Sequence, residues 1–163
     1  MSKDGDERDL EAVLARAQAA ISDLAKNYGT WAMADLDRCR DLLDAARGDA
    51  LLRTGKLAEL YGIAHNIKGQ GTSFGYPLMT QIGQSLCTFT RPAHEQTVQD
   101  KTAQERAAHA KPARDFSERD LGVIQSHLDA MRLILMKEIR GDGGETGRKL
   151  AQRLEAMVRE VQA

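Results

Sequence analysis

The sequence predicts an all-α protein, arranged as an antiparallel four-helix bundle with additional flanking N- or C-terminal helices. Three observations carry that expectation. Apolar residues recur at spacings of three and four along most of the chain, which places them on one face of a helix. Only three of the 163 residues are proline and aromatics make up 4%, while strong helix formers abound. No stretch alternates apolar and polar residues in the period of two that marks a strand, and there is no internal repeat.

The first stripe is Leu10, Leu14, Ala17, Ile21 and Leu24. A break is expected at residues 27–30, NYGT, where an aromatic and a glycine interrupt the pattern. A second helix should then run from about Trp31 to Ala46, with Leu36, Cys39, Leu42, Leu43 and Ala46 inward and Gly48 as its stop. The third begins at about Leu51 or Leu57 and reaches Phe74 on the stripe Leu57, Leu60, Tyr61, Ala64, Ile67, Gly71 and Phe74. The fourth runs from Pro77, a favourable first-turn proline, to Thr90, with Leu78, Ile82, Leu86 and Phe89 inward.

From Arg91 to Asp115 large apolar residues nearly vanish, with Pro92 and Pro112 near the ends. This stretch, 91–115, is expected to be a mobile insertion in a single domain spanning 1–163. Ser117 and Asp120 form an approximate capping box before a helix carrying Leu121, Ile124, Leu128, Met131, Leu135 and Ile139. GDGG at 141–144 should end it, and a last helix over 146–162 carries Leu150, Leu154, Met157 and Val161.

Charge and cysteine content narrow the function. A formal net charge of −1 argues against bulk binding to nucleic acid or to an acidic membrane. No run of about 18 apolar residues is present for a membrane span. The N-terminal MSKDGDERDLEAV is too polar and acidic for a signal peptide. Cys39 and Cys87 stand alone, without CxxC spacing, and read as free core thiols of a cytoplasmic protein. His94, His109 and His127 are not spaced as a metal site and are expected at the surface. Trp31 is expected to pack at a helix start.

The chemistry concentrates in residues 62–75, GIAHNIKGQGTSFG. Each glycine inside a helix costs about 1 kcal/mol relative to alanine, so their density needs a reason. At the helical step of about 100° per residue, His65 lies about 120° from the centre of the inward stripe, toward solvent. Gly62 and Gly69, three before and four after it, are its surface neighbours and leave room for another protein to approach. Gly71 falls on the inward stripe, where close packing explains it, and Gly75 is placed to end the helix before Pro77. A neutral imidazole is a good nucleophile near pH 7, and Lys68 one turn on is placed to attract a phosphoryl group. The glycines do not form a dinucleotide or phosphate loop. The last GxGxxG spacing is wrong, the run follows a helix, and no GK[ST] is present.

His65-Asn66-Ile67-Lys68-Gly69, followed by Phe74-Gly75, resembles the HxLKGxxxxLG signature of histidine-containing phosphotransfer domains, with Ile67 in the place of the leucine. Ala64 before the histidine is also common there. The resemblance implies a four-helix bundle whose exposed histidine, His65, is phosphorylated. It implies a phosphocarrier with no kinase activity of its own, not an enzyme. Its partners would be a response-regulator receiver domain and a hybrid histidine kinase of a two-component phosphorelay, with no nucleic acid and no membrane. No cofactor of its own is expected, the Mg²⁺ belonging to the receiver.

Lys68 and Gln84 are expected to support the histidine and phosphate. Gly62, Asn66, Gly69 and Arg91 are expected to form the docking surface of a monomer. The sequence departs from the family where Cys87 occupies a position, 22 residues after the histidine, at which some members carry glutamine; Gln84 lies one turn earlier. Gln70 and Gly71 replace residues that are often small serines, and 91–115 is longer than a minimal hairpin. Two other readings compete. One is the dimerisation and phosphoacceptor domain of a histidine kinase, against which Asn66 stands where an acidic residue is usual. The other is a non-phosphorylated helical protein-binding module.

Overall fold

The structure, a computed structural model, describes residues 3–102 and 115–163. Among these residues all regular structure is helical: α1 (Lys3–Gly48), α2 (Arg53–Gly71), a short 3-10 turn (Thr72–Phe74), α3 (Pro77–Thr102), α4 (Glu118–Met136) and α5 (Gly144–Gln162). The all-α expectation is met. None of these helices is long and apolar enough to cross a membrane.

α2 lies between α1 and α3, while α4 packs on both α1 and α3; α5 covers α3 and α4. The predicted stripes meet in one core. Leu36, Cys39 and Leu43 come from α1, and Leu57, Leu60, Ala64 and Ile67 from α2. α3 contributes Leu78, Ile82, Leu86 and Phe89, and α4 Leu121, Ile124, Leu128 and Met131. Ala151 and Leu154 of α5 reach the edge of this core. Cys39 and Cys87 are both buried and free, as expected. Burial raises the Cys39 thiol to about 12 and the Cys87 thiol to about 11.

The α1–α2 and α2–α3 connections are short and tied down. Arg53, at the start of α2, donates to the Ala46 carbonyl at 3.0 Å, to the Phe116 carbonyl at 2.7 Å and to Glu118 at 2.7 Å, so one guanidinium joins the ends of three helices. Gly71 must be a glycine. A Cβ there would lie 2.7 Å from Thr80 Oγ1 and 2.9 Å from the Tyr76 carbonyl, so the α2–α3 turn closes only without a side chain. Gly75 follows with φ 86°, in the left-handed region that ends the helix as predicted.

Three boundaries differ from the expectation. α1 does not break at NYGT. Tyr28 faces inward, fully buried, edge-on to Trp31 and stacked near Phe74, and its hydroxyl donates to the Ile67 carbonyl at 3.0 Å. That burial outweighs the cost of Gly29 in mid-helix, and it places Trp31 inside the helix, not at its start. α3 does not end at Thr90, so the insertion expected from Arg91 begins as helix. Ala93 is buried in the core and His94 stacks on Tyr61, and these contacts carry the helix through Pro92. Residues 103–114 lie outside the described residues. α4 ends at Met136 and not at GDGG: Glu138 adopts a left-handed φ of 49°, and the Ile139 amide donates to the Ile134 carbonyl at 2.9 Å, which completes a Schellman-type cap. The Ser117–Asp120 capping box forms at the start of α4 as predicted.

Candidate functional site

α2 presents two opposite faces. Leu57, Leu60, Ala64, Ile67 and Gly71 are buried, while Gly62, His65, Asn66 and Gly69 are exposed. His65 thus stands on solvent-facing helix, as its angular position predicts. A Cβ built at Gly62 or at Gly69 meets nothing within 4 Å, so no internal packing requires a glycine at either site. Their missing side chains lower the surface on both sides of the imidazole, at a cost in helix stability. Gly62, His65 and Asn66 line an open groove of about 660 Å³ with Tyr61, Ile63, Glu59, Arg38 and His94.

The imidazole leans along its own helix. Side chains on a helix tilt toward its N-terminus, so His65 reaches the residue four before it. The ring centroids of His65 and Tyr61 are 5.9 Å apart. Tyr61 is in turn stacked on His94 of α3, 4.6 Å between centroids and 22° between planes. Tyr61 therefore forms a wall on one side of His65, braced from the next helix. Among the described residues His65 has no hydrogen-bond partner, so its ring nitrogens face the groove and solvent.

Lys68 lies on the other side, along the seam between α2 and α3. Its ammonium donates to Gln84 Oε1 at 2.9 Å, and Gln84 Nε2 donates to Thr88 Oγ1 at 3.2 Å. The expected pair Lys68 and Gln84 is thus in contact, but Gln84 holds the lysine and not the histidine. Thr80 Oγ1 donates to the Lys68 carbonyl at 3.0 Å and fixes the backbone of the same residue. Gly83 makes this approach possible, because a Cβ there would lie 2.9 Å from Lys68 Cβ. Cys87, at the position one helical turn past Gln84, is buried. Desolvation raises its thiol, and the nearby Lys68 and Arg91 charges oppose that rise in part. Arg91 is exposed on α3, one helical turn past Cys87. Beside Gln84 a second shallow groove of about 400 Å³ is lined by Thr88 of α3 and by Glu155, Val158 and Arg159 of α5.

Sequence reading therefore placed His65, Asn66, Gly62, Gly69 and Lys68 correctly on or beside one exposed face. It missed Tyr61 as the wall, His94 as the brace, Gly83 as the contact glycine and Thr88 as the third member of the lysine chain. The spacing of four between Tyr61 and His65 was the one signal available for these, since the others depend on how α3 lies against α2.

His127 departs furthest from its expected surface position. It is fully buried on α4. Its Nδ1 lies 2.8 Å from the Val123 carbonyl, which can only accept, so Nδ1 carries the proton and Nε2 accepts from Ser85 Oγ at 2.9 Å. Burial lowers its pKa, opposed by the bond to Val123. It is a structural link between α4 and α3. His109 lies outside the described residues. The comparisons with known proteins add no relative: no family model matches the chain, and no curated protein or solved structure is significantly similar to it.

Proposed function

We propose that this protein is a histidine phosphotransfer protein of a two-component phosphorelay. His65 would carry a phosphoryl group to or from the aspartate of a receiver domain, and α1–α4 would form the antiparallel four-helix bundle that presents it. The observation that carries this reading is the open face of α2, where His65 stands between two glycines that internal packing does not need, with a lysine held in place one turn away.

The chemistry fits such a carrier. A neutral ring nitrogen of His65 attacks the phosphorus of an aspartyl phosphate, the P–O bond to the aspartate breaks, and a carboxylate leaves. The Gln84 carbonyl accepts one N–H of Lys68, leaving the others free to donate to phosphoryl oxygens. Gly62, Asn66 and Gly69 let the receiver's loops approach, with Arg91 at the rim. The receiver supplies the divalent cation and the acidic residues that hold it.

The test is a transfer assay. A receiver domain phosphorylated with labelled acetyl phosphate and Mg²⁺ is mixed with this protein, and acid-labile, base-stable label is followed. Label is expected on the wild type and absent from His65→Gln, with no labelling from ATP alone. Label that persists on His65→Gln would remove the central role of His65. Autophosphorylation from ATP would point to a kinase instead.

A further inference from the structure

Among the described residues the first half of α1 has no partner. Every residue from Lys3 to Leu24 is exposed, and burial begins at Ala25. At a rise of about 1.5 Å per residue this stretch projects about 33 Å beyond the packed helices. It carries Leu10, Val13, Leu14, Ile21 and Leu24 at 59%, 54%, 53%, 59% and 52% exposure. A lone helix of this length is marginal in water, and a bare apolar stripe makes it a poor candidate to stand alone.

The spacing names the kind of cover. Leu10, Leu14, Ala17, Ile21, Leu24 and Tyr28 follow one another at alternating steps of four and three, the seam of a coiled coil. The seam runs into the buried stripe of α1 at Tyr28, so the same helix face first meets its own core and then emerges uncovered. Among the flanking positions Glu11 is charged, while Val13, Gln18, Ala20 and Ala25 are short or uncharged and allow two helices to come close. The undescribed residues 1–2 and 103–114 contain no leucine, isoleucine, valine, phenylalanine, tyrosine or tryptophan. An anionic membrane fits poorly, because Asp4, Asp6, Glu7, Asp9, Glu11 and Asp23 outnumber Lys3, Arg8 and Arg16.

We propose that Lys3–Leu24 is a dimerisation helix that pairs antiparallel with the same segment of a second copy. Charge decides the orientation. In a parallel pair the two acidic starts, Asp4 to Glu11, would lie side by side and repel. In the antiparallel pair Asp4 and Asp6 lie at the other copy's Lys26, with Arg140 beside it. These two line a shallow depression at the end of the packed helices, together with Glu138. The heptad register then sets Leu10 against Ile21 of the second copy and Leu14 against its Ala17. This proposal puts a dimer in place of the monomer expected from sequence. It does not depend on the role of His65.

Sedimentation equilibrium of the full chain across the micromolar range should give twice the 17.9 kDa chain mass. Leu14→Glu/Ile21→Glu should halve that mass. Leu51→Glu, at an equally apolar position 93% exposed but off the seam, should leave it unchanged. A mixture of Leu10→Cys and Ile21→Cys chains should form a disulfide-linked heterodimer on mild oxidation, and Leu10→Cys alone should not. A monomeric wild type would overturn the proposal. So would a dimer that survives the double glutamate change, efficient linking by Leu10→Cys alone, or a monomer that co-sediments with lipid vesicles.

Discussion

At the scale of single residues, the glycines separate into two kinds that the sequence alone cannot fully tell apart. Gly71 is locked in place by Thr80 and the Tyr76 carbonyl, whereas Gly62 and Gly69 face open space. Opposite stability effects are therefore expected. Gly71→Ala should destabilise the fold by about 1–3 kcal/mol through overpacking. Gly62→Ala and Gly69→Ala should each stabilise it by about 0.5–1 kcal/mol, because alanine restricts the unfolded chain and favours helix. Urea midpoints of the three variants measure this directly. The two stabilised variants should also show slower phosphotransfer, since each puts a methyl beside His65. Unchanged transfer would mean that the cleared surface has no docking role. The angular position of His65 and the inward placement of Gly71 were legible in the sequence, because both follow from the period of one helix. Gly83 was not, because its reason is the Cβ of Lys68 on another helix.

At the scale of elements, local signals worked where they were strong and failed where packing overrode them. The Ser117–Asp120 box was visible as spacing and formed as a reciprocal cap, with the Asp120 amide donating to Ser117 Oγ at 3.2 Å and the Ser117 amide to Asp120 at 2.7 Å. Ser117→Ala should cost about 1 kcal/mol, read as a lower thermal midpoint. A loss within error would show that Arg53, which holds Phe116 and Glu118, fixes the start of α4 without the cap. Gly29 and Pro92 are breakers by local rule, yet α1 and α3 continue through them. Tyr28 and Ala93 are the reason in each case, both buried by neighbouring helices that the local sequence does not describe. The short α4 has the complementary cause. Ile139 fits the apolar period of the helix, but the backbone turns at Glu138 into a left-handed cap one residue earlier.

At the scale of the whole molecule, the helices are held together by a core of predictable residues and a few polar links that were not predictable. His127 is a fully buried one of these links and joins α4 to Ser85 of α3. Its pKa lies below its ordinary value near 6.5, so the unfolded chain takes up a proton more readily than the folded one. Its contribution to stability is intact above that value and is lost progressively as the pH falls below it. His127→Gln should therefore flatten the decline in urea midpoint between about pH 7 and pH 5.5, at a stability lower overall by about 1–3 kcal/mol for the lost bonds. An equally steep decline in the variant would assign the acid sensitivity to other groups. The sequence by itself determined the helical class, the inward stripes and the outward direction of His65, because each is a property of spacing along one helix. Only the tertiary structure decided that α1 is continuous, that His127 is buried, that Gln84 holds Lys68, and that the stripe from Leu10 to Leu24 has no cover among the described residues. Each of these depends on which helices lie side by side, and neighbours across space leave no period in the chain.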